Sequence, residues 1–245
     1  KLFSNYLYMS SVSNTFKNHC NSFALNLNDS LNLLSNDLVV DIASNDGCLL
    51  QEFKKLKVKT LGIEPAHNLA QIANSNGIET LNYFWNYESA SKILNKYGGA
   101  KLITAFNVFA HVDNLHDFFK NIKIALKQDG VFVIQVPYLI DFLEKHEFDT
   151  VYHEHLSYFL LKPIQYILKK HNMKIIFVKK YPIHGGTIEI RVMHDNEYSQ
   201  NLLSNIYYKI HTSVKTVLFN ISSHSDSAGL QSLQKHYSAW HHSSQ

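Results

Sequence analysis

Apolar residues along the chain fall into two rhythms. Short, nearly continuous runs recur at 38–42, 60–63, 78–81, 101–106 and 131–136. Runs of that length without alternation suit strands buried on both faces of a parallel sheet. Between them, apolar positions three and four apart predict a helix starting at Cys48, a second over 67–75, a third over 89–96 ended by Gly98-Gly99, and a fourth over 115–126 stopped at Asp129-Gly130. Strand followed by helix, repeated, calls for a parallel sheet with right-handed crossovers. After the fifth run the rhythm changes: a helical pattern over 162–171 leads to strands over 173–180 and 187–193 separated by a Gly-containing turn, which predicts an antiparallel pair. The expected fold is therefore α/β, a mostly parallel sheet of about seven strands ending in an antiparallel pair.

Both ends of the chain carry helical spacing. Val12, Phe16, His19 or Cys20, Phe23 and Leu27 follow the capping serines 10, 11 and 13 and predict a lid or packing helix beginning near Ser11, so that residues 1–30 form an amino-terminal segment ahead of a domain over 31–195. Leu202, Ile206, Ile210, Val214, Val217 and Ile221 predict a further helix over 196–221, followed by a Ser/His-rich tail over 222–245.

Composition narrows the classes. The 245 residues, 45% hydrophobic, suffice to bury the core of one α/β domain with extensions. Net charge is +3, and the one dense basic run, Lys54-Lys55-Leu56-Lys57-Val58-Lys59, straddles a helix end and a strand start. That placement reads as a solvated edge, so no nucleic-acid partner is expected. No apolar run approaches the roughly 20 residues of a membrane span, and no signal peptide opens the chain, so no membrane partner and a cytoplasmic location are expected. Cys20 and Cys48 are too few and too far apart for a disulfide framework or a metal knuckle, which makes a reducing compartment the expectation.

Candidate chemistry gathers at strand ends, where open parallel sheets bind ligands. The first strand ends in Asp41 and turns through Ala43-Ser44-Asn45-Asp46-Gly47 into a helix whose free amides would face a ligand. The second strand ends in Glu64-Pro65, near the spacing at which such folds offer a carboxylate to ribose hydroxyls. Asn107 to His111 and Pro137-Tyr138 join the same rim. The turn lacks the three-glycine dinucleotide fingerprint, so NAD is not expected to bind.

The stretch Phe148-Asp149-Thr150-Val151-Tyr152-His153-Glu154-His155-Leu156-Ser157-Tyr158 is the catalytic candidate, because His, Glu and Tyr so close together are costly to bury unless exposed or used in chemistry. Three readings stand. In an extended segment His153 and His155 would share a face and could ligate a metal, although no further cysteine or histidine cluster completes a site. They could be ordinary histidines of a solvated loop. Or they perform acid/base work, since histidine titrates near neutrality.

Taken together, the sheet pattern and several motifs resemble the sugar C-methyltransferases, class I S-adenosylmethionine-dependent enzymes that act on nucleotide-linked 4-keto-deoxysugars. The similar features are Tyr6 through Ser13, Asn45-Asp46-Gly47, Gly62-Ile63-Glu64-Pro65, Asn107 with His111, Val136-Pro137-Tyr138, Phe148-Asp149 with Tyr152 and Glu154-His155, and His184-Gly185-Gly186. The resemblance implies S-adenosylmethionine as cofactor, held by Asp41, Ala43, Asn45, Gly47, Glu64, Pro65 and Asn107. It implies His155 as the base, with Glu154, Tyr152, His111 and Tyr8 beside it, and Tyr138, His184 and Gly185 against the substrate. No metal takes part. Ala43 replaces a usual glycine, a change we expect to be tolerated if φ stays negative there. The family's amino-terminal zinc module and most of its carboxyl-terminal domain have no counterpart, so flanking domains are expected to be missing. The alternatives are an O- or N-methyltransferase, or a non-catalytic nucleotide-sugar-binding remnant.

Overall fold

A computed structural model of the chain describes residues 4, 6–146, 151, 153–183 and 185–200. Seven strands form one sheet: β1 (Leu38–Ile42), β2 (Lys59–Ile63), β3 (Thr80–Leu81), β4 (Ala100–Phe106), β5 (Leu126–Pro137), β6 (Met173–Tyr181) and β7 (Thr187–His194). Their order is β3-β2-β1-β4-β5-β7-β6, parallel through β5, with β7 antiparallel to both β5 and β6. Helices α1 (Asn14–Leu31), α2 (Cys48–Lys55), α3 (His67–Ser75), α4 (Tyr87–Tyr97), α5 (Leu115–Ala125), α6 (Leu139–Lys145) and α7 (Leu161–Lys170) accompany it. This is the doubly wound sheet expected for a class I methyltransferase.

Local sequence accounts for most element ends. Ser13 caps α1, its side chain accepting from the Phe16 amide at 3.2 Å. Asn86 and Ser89 form a reciprocal capping box that starts α4 two residues earlier than the pattern suggested. Gly98, in the left-handed region at φ 72°, ends it. β1 is buried at all five positions, as its unbroken apolar run requires.

Three features differ from expectation. Asp129-Gly130 does not separate α5 from the next strand, because β5 runs unbroken from Leu126 to Pro137. The pairing instead shifts register, from Ala100 opposite Leu126 to Leu102 opposite Val131. Gly130 permits that irregularity, since a Cβ there would stand 2.9 Å from the Ala100 carbonyl and 2.8 Å from Leu126. At the amino end, α1 begins after a separate 3-10 turn (Ser10–Val12), and Val12 is exposed rather than part of its buried stripe of Cys20, Phe23, Ala24 and Leu27. Helix α6 had no clear signal, having no side-chain cap. Of the helix expected over 196–221, only 196–200 lie within the described residues; 197–200 are helical, and the Asn196 side chain accepts from the Ser199 amide at 3.2 Å. The rest of it, and the tail, lie outside them.

The buried apolar core joins β1, β2, β4, β5 and β7 to α4, α5 and α7. Within it, the rings of Phe109 and Phe118 meet edge to face at 4.9 Å, so the residue two before His111 is anchored in the core. Among the described residues no helix is long and apolar enough to cross a membrane.

Candidate active site

A cleft of about 1160 Å³ opens over the carboxyl ends of the strands and is lined from the turns after β1, β2, β4 and β5. Its floor begins at the β1–α2 turn, where three residues adopt positive φ: Ala43 at 53°, Asn45 at 54° and Gly47 at 81°. The negative φ that would let the alanine replace glycine without strain is not adopted. An alanine in the left-handed region costs about 1–2 kcal/mol, and the turn holds it there through the Ser44 amide on the Ile63 carbonyl (3.3 Å) and the Asn45 amide on Glu64 Oε2 (2.7 Å). Gly47 has no spare room either: a Cβ would meet Ile78 at 3.2 Å.

Two acids stand behind this turn. Glu64, buried, accepts the Asn45 amide on Oε2 and the Ala66 amide on Oε1 at 2.8 Å. Each oxygen keeps a lone pair for a further donor. Burial raises its pKa against the pull of those two amides. Asp41 lies deeper and is paired in register with Thr104 of β4, whose hydroxyl donates to Asp41 Oδ1 at 2.6 Å. Burial pushes Asp41 up to about 7, the Thr104 bond opposing and the Glu64 charge adding to the rise. On the neighbouring strand end, Asn107 also has positive φ (56°), its amide donating to the Gln135 carbonyl at 2.8 Å. Its Oδ1 and the Ser44 hydroxyl are buried without partners among the described residues, and both residues line the cleft. Buried polar atoms left in this way call for a ligand or water to satisfy them. Two carboxylates, an open amide oxygen, a hydroxyl and a left-handed backbone turn match a ligand carrying ammonium and ribose hydroxyl donors, so these residues fit S-adenosylmethionine.

A strap from the amino-terminal segment crosses the turn. The Ser10 amide donates to Asn45 Oδ1 (2.9 Å) and the Ser11 amide to Asp46 Oδ2 (3.1 Å), while Asn45 Nδ2 donates to the Tyr8 carbonyl (3.0 Å). Asn68 on α3 exchanges two hydrogen bonds with the Tyr6 backbone, at 3.1 and 2.7 Å. Tyr6 and Tyr8 thereby line the cleft.

The opposite wall carries two imidazoles. His111 ends a 3-10 turn (Phe109–His111), and its Nδ1 stands 2.8 Å from the Glu154 carbonyl. A carbonyl only accepts, so Nδ1 bears the proton and Nε2 of the neutral ring is left with its lone pair. Burial lowers the His111 pKa, with the Glu154 carbonyl opposing and His155 adding to the fall. The Leu156 amide donates to the Ala110 carbonyl at 2.7 Å, which docks the 154–156 segment and sets the His155 ring 5.0 Å from that of His111. Tyr158 meets His155 edge to face at 6.2 Å.

The extended geometry that would put His153 and His155 on one face is absent, because 153–154 form a turn. The His153 side chain is 80% exposed, 4.0 Å from Glu154, whereas His155 lines the cleft. Among the described residues no group of three His, Cys, Asp or Glu could hold a metal ion.

Of the expected site residues, Asp41, Ala43, Asn45, Glu64, Pro65, Asn107, His111, His155, Tyr8 and Gly185 line the cleft, and Gly47 supports its turn. Glu154 reaches it through its backbone carbonyl to His111. Tyr138 is not among the lining residues: it is half-buried, with the Lys180 ammonium 5.5 Å above its ring. Tyr152 and His184 lie outside the described residues. The sequence reading missed Tyr6, the Phe84-Trp85-Asn86-Tyr87 loop after β3, and Asp117 and Lys120 of α5. The rule that flagged the other strand ends would have flagged the loop after β3, where the Trp85 indole donates to the Phe118 carbonyl at 3.3 Å.

The chain resembles known proteins in the same terms. A family model described as a methyltransferase domain matches residues 22–177. C-methyltransferase NovU from Streptomyces niveus is 32% identical over 189 residues, which are 77% of this chain and 45% of that protein, so the chain spans less than half the length of this relative. Among solved structures, the PH0226 protein of Pyrococcus horikoshii overlays with a TM-score of 0.60 at 11% identity, covering 76% of this chain and 94% of that one. An S-adenosylmethionine-dependent methyltransferase from Clostridium acetobutylicum overlays at 0.55 and 16% identity, covering 72% and 91%. Magnesium protoporphyrin IX methyltransferase from Synechocystis, with bound SAH, overlays at 0.54 and 10% identity, covering 72% and 82%. These overlays show a shared fold, and the family model's match over residues 22–177 shows that the chain belongs to the methyltransferase-domain family.

Proposed function

We propose that this domain transfers a methyl group from S-adenosylmethionine to the carbon beside the ketone of a nucleotide-linked keto-deoxysugar. The observation that carries the reading is the His111–His155 pair on the rim facing the Asp41–Glu64 turn, with the His111 tautomer set by a backbone carbonyl. The likeness to a C-methyltransferase supports carbon as the acceptor. When bound, the cofactor supplies an electrophilic methyl on a positively charged sulfur. Glu64 would accept the ribose hydroxyls, and Asp41, Asn107 and the Ala43–Gly47 backbone would hold the rest.

A ketone acidifies its neighbouring C–H, so a neutral imidazole can remove that proton and leave an enolate whose carbon attacks the methyl. His155 takes the proton, and His111, kept neutral by burial with its Nδ1 proton on the Glu154 carbonyl, would present Nε2 as an acceptor for a hydroxyl of the sugar. Tyr8 and the backbone near Gly185 would position the sugar, a task for which the resemblance also nominates Tyr152, His184 and Tyr138. Holding carbon and methyl near contact can supply several kcal/mol of the barrier.

The test is solvent deuterium exchange into a keto-sugar nucleotide in the presence of S-adenosylhomocysteine, alongside mass spectrometry of products from a substrate panel. Exchange should occur in the wild type, disappear in His155→Asn, and leave cofactor affinity nearly unchanged, while turnover falls about 100-fold or more. Exchange that persists in His155→Asn but vanishes in His111→Asn moves the base to His111. Methylation of oxygen or nitrogen with no carbon exchange rejects the enolate reading.

A further inference from the structure

The strap over the cofactor turn is held almost entirely by side-chain hydrogen bonds. It runs extended: Met9 has φ −103° and ψ 125°, and Tyr6 and Tyr8 line the cleft while Leu7 between them is 93% exposed, the two-residue alternation of an extended chain. Little apolar surface ties it down, since Tyr8 and Val12 are exposed and the buried stripe of α1 begins only at Cys20. Among the described residues its main chain joins the domain through side chains rather than a strand ladder. The Asn68 amide takes both polar groups of Tyr6, Oδ1 accepting from the N–H at 3.1 Å and Nδ2 donating to the carbonyl at 2.7 Å. Asn45 and Asp46 hold Tyr8, Ser10 and Ser11 in the same manner. A segment with so little burial, fixed by a few polar links, belongs to the parts of a fold that open locally at low cost. Asn68 is the second residue of α3, two past Ala66, whose amide donates to Glu64 Oε1, and it is not itself among the residues lining the cleft.

We propose that residues 6–11 form a gate over the cofactor seat, hinged near Ser13 at the start of α1, and that Asn68 is the positioning residue that latches it through the main chain of Tyr6. The gate presupposes the seat proposed above, for a ligand on Glu64 and the Ala43–Gly47 turn lies beside Tyr6, Tyr8 and Ser10, which line the same cleft. Opening clears the way for S-adenosylmethionine to enter and for S-adenosylhomocysteine to leave. The latch is made to main chain and not to ligand, so it favours neither the free nor the bound protein. Weakening it raises the open fraction of both, which speeds entry and exit together and leaves the dissociation constant nearly fixed.

The experiment measures S-adenosylhomocysteine association and dissociation by stopped flow, and amide hydrogen exchange of the ligand-free chain, in wild type, Asn68→Ala and Asn68→Asp. Alanine is the better helix former at this half-buried position of α3, so the first variant keeps the fold. In Asn68→Ala both rate constants should rise about 10-fold, the scale of two lost hydrogen bonds, while the dissociation constant changes by less than about 3-fold. The Ser10 and Ser11 amides, which bond to Asn45 and Asp46 and not to Asn68, should exchange about 10-fold faster, because the strap opens as a unit. Asn68→Asp keeps an acceptor for the Tyr6 N–H but sets a carboxylate oxygen against the Tyr6 carbonyl, and should match or exceed these effects. Faster dissociation with unchanged association makes the strap a ligand contact and overturns the gate, as do unaltered rates or unaltered exchange. Glu64→Gln separates gate from seat. If it weakens binding while Asn68→Ala leaves both rates alone, the seat stands and the gate falls; if Asn68→Ala speeds both rates while Glu64→Gln leaves affinity unchanged, the gate stands and the seat is misplaced.

Discussion

At the scale of single residues, the cofactor turn combines strain with a buried charge. Asp41 has a folded pKa of about 7 against an ordinary 3.8, so the folded chain holds its proton more tightly than the unfolded one. Stability is therefore greatest below pH 4 in this one respect and declines as pH rises toward 7, by up to about 4 kcal/mol. Asp41→Asn, which keeps an acceptor for Thr104, should be more stable than wild type at pH 8 and converge with it near pH 4, as urea unfolding at several pH values will show. Ala43→Gly relieves a left-handed alanine and should raise stability by about 0.5–1 kcal/mol. Glu64→Gln keeps the bulk of the side chain but loses charge and one acceptor; calorimetry should find S-adenosylhomocysteine bound about 1.5–3 kcal/mol more weakly.

At the scale of elements, the contact of α1 with β7 matters most. Thr187, Glu189 and Arg191 alternate with apolar residues along β7, a rhythm that reads as one solvated face. Every β7 position is nevertheless buried, because α1 covers that face. Arg191 pairs with Glu189 and donates to Asn26 Oδ1 (2.7 Å) and Ser30 Oγ (2.9 Å) on α1, while the Tyr181 hydroxyl donates to the other Glu189 oxygen at 2.7 Å. Arg191→Ala leaves a fully buried carboxylate unpaired and should cost about 3–5 kcal/mol in denaturant unfolding. Replacing Arg191 and Glu189 together by Met and Leu should recover most of that loss, since the penalty lies in the uncompensated charge.

At the scale of the whole molecule, the cleft takes residues from turns between Asp41 and Gly185 and from the amino-terminal strap. Ligand binding should therefore stabilise the entire sheet. S-adenosylhomocysteine at 100 times its dissociation constant should add about 2.7 kcal/mol, a thermal shift that NAD should not reproduce. Stabilisation by NAD alone would contradict the cofactor assignment.

Much of this was legible along the chain. The strand at 38–42 and the helix at 67–75 coincide with β1 and α3, because an unbroken apolar run or a 3.6-residue stripe is a local consequence of which faces are buried. The rim was legible too: Asp41, Glu64, Asn107 and His111 each follow a strand that the pattern marks, and parallel strands all end on the same side. What sequence could not decide were relations between distant segments. Ala43 takes a positive φ because Ile63 and Glu64 hold its neighbours; β5 runs through Gly130 because Ala100 lies against it; His153 and His155 part because Ala110 captures the Leu156 amide. The polar face of β7 is interior only because α1 lies over it. Burial and backbone conformation at such positions depend on atoms tens of residues away, and that information exists only once the chain has folded.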